Sequence, residues 1–164
     1  MDIKGEVSDH FFFPFIASLS LNLEACNNIA SSRQLWRFIL PNSSNDASNV
    51  RTSLLTDDYV KILGKSDGLA LLVSTDMLDG ASVGLATFTN RDEFIWKPQN
   101  NRLMSANSEK YLGWSGTGAN MSRLFAESSA QSWVLAKPAG SEWLNSYIIQ
   151  HSSGGCLTAS SKNL

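Results

Sequence analysis

Short apolar stretches recur along this chain between polar, turn-forming segments. Each stretch is three to seven residues long, which is the length of a β-strand and too short for a stable helix. Clusters of Gly, Asn, Ser and Asp separate the stretches, and these residues favour tight turns. The pattern predicts an all-β domain. The predicted strands cover residues 12–16, 19–25, 35–40, 59–63, 69–74, 83–88, 94–96, 103–105, 111–114, 123–126, 133–136, 147–150 and 156–159.

The composition agrees with a folded β domain. A chain of 164 residues fits one domain, spanning 1–164, and 43% hydrophobic residues are enough to form a core. Only 17% of the residues are charged, whereas amphipathic helices carry Glu, Lys and Arg on their exposed faces. This composition therefore argues against a helical bundle.

Charge and hydropathy exclude several classes of partner. The formal net charge is −2 and no two basic residues are adjacent, so the electrostatic attraction that dominates nucleic-acid binding is absent. The longest apolar run, residues 11–19, is interrupted by Pro14 and Ser18 and is far shorter than the roughly 20 residues of a membrane span. The first residues do not read as a secretory signal, which makes the cytoplasm the default location and leaves extracellular action open.

Three tryptophans stand in related surroundings, and each one opens a predicted strand. The segments are Gln34-Leu35-Trp36, Phe94-Ile95-Trp96 and Gln131-Ser132-Trp133. After each of them comes an aromatic residue or Cys followed by an aliphatic residue, and we match these pairs as Tyr59-Val60, Tyr111-Leu112 and Cys156-Leu157. A fixed order at irregular spacing is typical of a repeated unit with variable loops.

The third unit stops before its last strand, and the N-terminal segment 19–26 supplies a matching strand ahead of Trp36. The sequence therefore predicts that the N-terminal segment completes the third unit. In that arrangement Cys26 and Cys156 belong to the same unit, and they form either a disulfide or a close thiol pair. Two separate buried thiols are the alternative.

Gln-x-Trp repeated within three β units resembles the ricin-type β-trefoil lectins, and Cys156-Leu157-Thr158-Ala159 is similar to the Cys-Leu strand of that family. Phe94 replaces the glutamine in the middle unit. Residues 110–114 and 132–138 give a weaker similarity to the amaranthin-type agglutinins, which are also β-trefoils. The resemblance implies a β-trefoil with a pseudo-threefold repeat, in which Trp36, Trp96 and Trp133 fill the core.

The resemblance does not carry over the usual sugar site. Ricin-type lectins bind sugar through an Asp after the Cys-Leu pair and an Asn before the Gln-x-Trp motif. Here the Asp position holds Lys61, Gly113 and Thr158, and the Asn position holds Arg33 and Ala130. We therefore expect the family's fold without its galactose site.

Two other tryptophans, Trp114 and Trp143, lie outside the repeat and beside polar turns. An aromatic face next to hydroxyl and amide groups suits a sugar ring, so these two residues are candidate stacking platforms. The alternative for Trp114 is a half-buried packing role. The remaining candidates for the same site are Tyr111, Ser115, Asn120 and His151.

Catalysis has little support in the sequence. The chain has two histidines, His10 and His151, no serine in a Gly-x-Ser-x-Gly turn and no phosphate-binding loop, so we expect no metal, no cofactor and no enzymatic activity. The predicted function is a lectin that binds glycans or glycoconjugates. The alternative is a protein-binding trefoil, such as a protease inhibitor or a toxin targeting module, that makes contact through residues 41–51. The oligomeric state is open, and a homo-oligomer is compatible with the sequence.

Overall fold

The computed structural model describes residues 19–26, 32–45, 58–73, 81–115, 122–125, 129–136 and 146–161. Within them the chain forms twelve strands and two short 3-10 turns, Ser32–Gln34 and Asp92–Phe94, so the all-β prediction is confirmed. No helix in this part of the chain is long and apolar enough to cross a membrane. The strands are β1 (Leu19–Ala25), β2 (Trp36–Ile39), β3 (Lys61–Gly64), β4 (Ala70–Val73), β5 (Val83–Ala86), β6 (Trp96–Gln99), β7 (Arg102–Ser105), β8 (Tyr111–Trp114), β9 (Ser122–Phe125), β10 (Trp133–Ala136), β11 (Ile148–His151) and β12 (Gly155–Ser161).

The strands form three antiparallel sheets of four strands each. Their orders are β2-β3-β4-β5, β6-β7-β8-β9 and β10-β11-β12-β1. In the last sheet β1 pairs with β12 over its whole length, from Leu19 opposite Ser161 to Ala25 opposite Gly155. The first and last described strands therefore lie side by side.

Most predicted strands coincide with observed ones, because a short apolar run bounded by turn residues is a local signal. The segment 94–96 is an exception. Asp92–Phe94 forms a 3-10 turn, in which the Ile95 N–H donates to the Asp92 carbonyl at 3.0 Å, and strand β6 begins only at Trp96. The predicted strand 12–16 lies outside the described residues.

The three repeat tryptophans are the largest fully buried side chains of the described residues. Each indole N–H donates to a backbone carbonyl on the third strand of another sheet. Trp36 reaches Leu157 at 3.0 Å, Trp96 reaches Leu71 at 3.1 Å and Trp133 reaches Leu112 at 3.0 Å. The predicted core role of these tryptophans is confirmed, and the three bonds link the three sheets in a closed circuit.

Backbone bonds reinforce this circuit at the same three residues. Trp36 exchanges two N–H···O bonds with Tyr147, at 2.9 and 2.8 Å, and Trp96 exchanges two with Val60, at 2.9 and 2.8 Å. The Trp133 N–H donates to the Asn101 carbonyl at 2.8 Å. Each tryptophan therefore contacts the residue that directly precedes the second strand of a neighbouring sheet.

These contacts correct the match between the repeat units. Because Leu71, Leu112 and Leu157 each accept an indole N–H, Ala70-Leu71 is the pair equivalent to Tyr111-Leu112 and Cys156-Leu157. The assignment of Tyr59-Val60 to this set is wrong. Tyr59 and Val60 precede β3 and fit the pattern of an aromatic followed by an aliphatic residue, whereas Ala70-Leu71 on β4 lacks the aromatic residue, so the sequence pattern selects the wrong pair.

A disulfide joins Cys26, which directly follows β1, to Cys156 on β12, with the two Cα atoms 5.1 Å apart. Beside it the Gln34 side-chain amide donates to the Ala25 carbonyl at 2.9 Å and to the Thr158 hydroxyl at 3.1 Å. The first glutamine of the Gln-x-Trp motifs thus fixes the turn before β2 against the β1–β12 pair.

We expect Trp133→Phe to lower the free energy of unfolding by about 1–3 kcal/mol, because the buried Leu112 carbonyl loses its donor. Urea unfolding measures the change. Val134→Ala is the control, since Val134 lies next to Trp133 and is 52% exposed, and it should change stability by no more than about 0.5 kcal/mol. Equal losses in both variants would contradict this account.

Removing the disulfide by Cys26→Ala with Cys156→Ala should cost about 2–4 kcal/mol, because the bond closes a long loop with a sequence separation of 130 residues. Denaturant unfolding of the wild-type protein with and without a reducing agent provides the comparison. The reduced wild-type protein should match the double variant, and a wild-type stability that does not respond to reduction would refute the prediction.

Candidate functional site

With Ala70-Leu71 as the equivalent pair, the positions that would carry the ricin-type Asp are Leu72, Gly113 and Thr158, and the assignment of Lys61 to this set is wrong. Leu72 is 3% exposed. Lys61, at the start of β3, is also turned inward. Lys61 is 2% exposed. Its ammonium group donates to the Ser43 carbonyl at 2.6 Å and lies 4.6 Å from the centre of the Phe88 ring. Burial lowers the pKa of Lys61. This cation therefore anchors the segment after β2 and does not face a ligand.

Gly113 and Thr158 are both unavailable to a ligand, for two different reasons. A Cβ atom at Gly113 would lie 2.5 Å from the Phe125 ring and 2.8 Å from the Gln131 carboxamide, so no side chain fits there. The Thr158 hydroxyl is buried, where it accepts from Gln34 and donates to the Cys156 carbonyl at 2.9 Å. Since neither position can offer a carboxylate, the galactose site of the resembled family has no counterpart at these residues.

The sequence candidates for sugar stacking are placed as follows. Trp114 is 8% exposed and belongs to the main hydrophobic core, which argues against it as a stacking platform. Ser115, directly after it, is half-buried. Trp143 and Asn120 lie outside the described residues, so their roles stay predictions.

Gln131 and His151 hold the backbone around Trp114. The Gln131 carboxamide accepts from the Trp114 N–H at 2.8 Å and donates to the Trp114 carbonyl at 3.1 Å. His151 Nδ1 accepts from the Ser153 N–H at 3.1 Å, so the ring proton resides on Nε2, which donates to Gln131 Oε1. Both ring nitrogens are occupied internally, and His151 serves as a structural link and not as a free sugar contact.

A different surface collects exposed polar and aromatic groups, namely the outer side of the β6–β7 hairpin. Side chains alternate along both strands: Trp96, Pro98, Leu103 and Ser105 are buried, while Lys97, Gln99, Arg102 and Met104 are half-buried and share the opposite face. Lys97 lies opposite Met104, and Gln99 lies opposite Arg102. The alternation thus gathers two cations, an amide and a thioether on one side.

The hairpin is short and firmly held. Asn100 and Asn101 form its two-residue turn with φ values of 52° and 62°, the left-handed region that Asn tolerates well. The Trp133 N–H binds the Asn101 carbonyl, and the Ala106 N–H binds the Ile95 carbonyl at 2.9 Å. The first bond attaches the tip of the hairpin to β10, and the second closes its open end. The Trp96–Val60 bonds attach the start of β6 to the segment before β3, which keeps the outer side chains in a defined arrangement.

Tyr59 extends this surface. Its side chain is 47% exposed, and the Lys97 ammonium lies 5.4 Å from the ring centre, within cation–π range. The neighbouring residue Val60 pairs with Trp96, which fixes Tyr59 beside β6. We call Tyr59, Lys97, Gln99, Arg102 and Met104 the β6–β7 face.

Tyr111, a candidate from the sequence, supports this face from below. Its side chain is 6% exposed, and the Arg102 guanidinium lies 5.6 Å from its ring centre. Tyr111 therefore positions Arg102 and offers little ring surface of its own. In chemical terms the β6–β7 face provides one exposed aromatic ring, two cationic donors and an amide, which suits binding of a polar ring and not proton transfer.

Sequence reasoning missed this face. The sequence pattern predicts Tyr59 as the first residue of a strand and does not single out Lys97, Gln99 or Arg102. The signal that could have found them is the alternation of Trp96-Lys97-Pro98-Gln99 before the Asn100-Asn101 pair, whose residues tolerate the two-residue turn of a hairpin. After the turn, Leu103-Met104 interrupts the alternation. No group of three or more His, Cys, Asp or Glu residues within the described ranges could hold a metal ion.

The link through His151 makes stability depend on pH. Burial lowers the pKa of His151 below its ordinary value, so the unfolded chain takes up a proton at a higher pH than the folded chain. The free energy of unfolding should therefore fall as the pH drops below about 6.5 towards the lowered folded-state pKa. His151→Gln should remove most of this loss in urea titrations, whereas His10→Gln, the control, should keep it; an identical pH profile in both variants would contradict the assignment.

Comparisons of the chain with protein-family models, with curated proteins and with solved structures find no significant match. The resemblance to ricin-type lectins therefore rests on the motifs within this chain. A function has to be argued from the geometry described above.

Proposed function

We propose that this chain is a β-trefoil that binds carbohydrate and has no catalytic activity. The support for a trefoil is that the three sheets repeat one strand order, with β1 closing the last sheet. The same indole-to-carbonyl bond also recurs from one sheet to the next, at Trp36, Trp96 and Trp133. A core of this kind leaves the outer faces of the sheets and the loops free to carry a ligand site.

The observation that carries the functional proposal is the exposed Tyr59 ring beside the polar side chains of the β6–β7 face. A sugar ring stacks its C–H face on an aromatic ring while its hydroxyl groups bond to nearby donors and acceptors. Lys97 supplies such a group beside the Tyr59 ring, and Gln99, Arg102 and the Asn100-Asn101 turn supply others farther along the same hairpin. The proposed ligand is a glycan or glycoconjugate.

The disulfide bears on where the protein acts. Bonds such as Cys26–Cys156 persist in oxidising compartments and are rare in the cytosol. We therefore favour action outside the cytosol over the cytoplasmic default, which also suits a partner displayed on cell surfaces. Reaction of the freshly isolated native protein with a thiol reagent tests this point, since two free thiols would support the cytosolic alternative.

A glycan array of the purified protein tests binding, with Tyr59→Ala and Tyr59→Phe as a matched pair. Tyr59→Ala should weaken binding at least about fivefold, because it removes the stacking surface, while Tyr59→Phe keeps the ring and should retain most of the affinity. Trp143→Ala is run beside them to test the candidate outside the described residues. Loss of binding in Trp143→Ala alone would move the site away from the β6–β7 face.

The second candidate function is protein binding through residues 41–51. The structure at the start of this loop provides the observation that favours it. Leu40 is 41% exposed, and the segment after it is anchored by Lys61 on the Ser43 carbonyl and by Arg37 on the Asn45 carbonyl at 2.8 Å. An anchored loop next to an exposed leucine is a suitable contact for a protein. Inhibition of a protease panel that Leu40→Ser abolishes, together with a silent glycan array, would favour this function over the first.

A further inference from the structure

The two cations of the β6–β7 face each have an aromatic neighbour. Lys97 lies over Tyr59 and Arg102 lies over Tyr111. Among the residues that the structure describes, no carboxylate forms an ion pair with either of them. The chain as a whole carries a net charge of −2, so the positive charge on this hairpin is a local feature.

The register of the hairpin sets the spacing of these charges. Lys97 is opposite Met104, and Arg102 is opposite Gln99, so the two cations are diagonal neighbours on adjacent strands. Diagonal positions on one face of an antiparallel pair are about 7–8 Å apart at the backbone. Met104 and Gln99 occupy the other two positions of the same face. An acidic group of one ligand can therefore meet either cation, or both, while a neighbouring ring rests on Tyr59.

The two cations also differ in what they can recognise. A guanidinium supported on an aromatic ring keeps its N–H donors at the rim, where they match the paired oxygens of a carboxylate or a sulfate. A lysine ammonium provides a mobile point charge for the same anion. Two exposed acidic residues lie next to this region in the sequence. Asp58 directly precedes Tyr59, and Glu109 lies in the turn after β7.

We propose that the β6–β7 face selects glycans that carry a carboxylate or sulfate group, with Tyr59 stacking on a sugar ring while Lys97 and Arg102 bind the anion. This inference rests on the proposed carbohydrate-binding function and specifies its ligand class. The carboxylate or sulfate is the shared chemistry, and uronic acid sugars and sulfated sugars are its two sources.

The test is titration calorimetry of the folded wild-type protein with oligosaccharides of equal length. The probes are a chondroitin sulfate fragment, a hyaluronan fragment that carries only carboxylates, and a neutral dextran fragment. At least one of the anionic probes should bind about tenfold or more tightly than dextran, and its affinity should fall as salt is raised. Binding of hyaluronan would identify the carboxylate as sufficient, and binding of chondroitin sulfate alone would identify the sulfate as required.

The variants locate the site. Lys97→Gln with Arg102→Gln should weaken the anionic probe about tenfold or more and lower the affinity for dextran by a clearly smaller factor, because only the anionic probe loses a charge interaction. Arg102→Lys should recover only part of the affinity, because it restores the charge without the paired donors. Arg33→Gln is the control for net charge and is compared with Arg102→Gln alone, since each removes one positive charge; Arg33 is exposed in the 3-10 turn that packs on β12. Circular dichroism and urea unfolding of every variant confirm that it folds.

Each of the other outcomes would refute one or both of the proposals. Equal binding of dextran and the anionic probes, lost in Tyr59→Ala, would refute anion selection and leave the proposed function intact. Loss of binding in Arg33→Gln as large as in Arg102→Gln alone, or equal competition by a single-stranded DNA of the same charge, would show attraction by overall charge and refute a built site. Failure of all three oligosaccharides and of the glycan array would refute both proposals.

Discussion

A buried indole N–H must find an acceptor, and the rest of this structure depends on how three of them do so. Trp36, Trp96 and Trp133 are fully buried, and each one donates to a carbonyl on the third strand of another sheet. Because a lost bond would leave a polar group unpaired in the core, each contact fixes the position of one sheet against another. Hydrophobic burial alone does not fix the position of one sheet against another, since it is not directional.

The β6–β7 face depends directly on this circuit. Trp96 begins β6, so the bonds that fix its backbone to Val60 also fix the neighbouring residues, Lys97 on β6 and Tyr59 before β3. The Trp133 N–H holds the Asn101 carbonyl at the tip of the same hairpin. The core residues thus determine the geometry of the outer surface, and a change in the core is transmitted to the proposed site through backbone bonds.

The resembled family and this chain differ in how they use the same part of a β unit. Where the family's motif expects an acidic side chain, this chain has the buried Leu72 and the Thr158 hydroxyl, which lies beside Gln34 inside the molecule. At Gly113 the Phe125 ring occupies the available space. These positions stabilise the fold, which is why the proposed ligand site lies on a hairpin face and uses cations in place of a carboxylate.

The sequence by itself determined the all-β class, most strand positions and the core role of the three tryptophans, because short apolar runs and the turn residues between them are local signals. It selected Tyr59-Val60 in place of Ala70-Leu71, since only the former has the aromatic residue of the repeat pattern. Only the tertiary structure decided that Trp114 is buried and that Tyr59, Lys97 and Arg102 share one surface. Those facts depend on strand register and on contacts between residues far apart in the chain, which no local pattern contains.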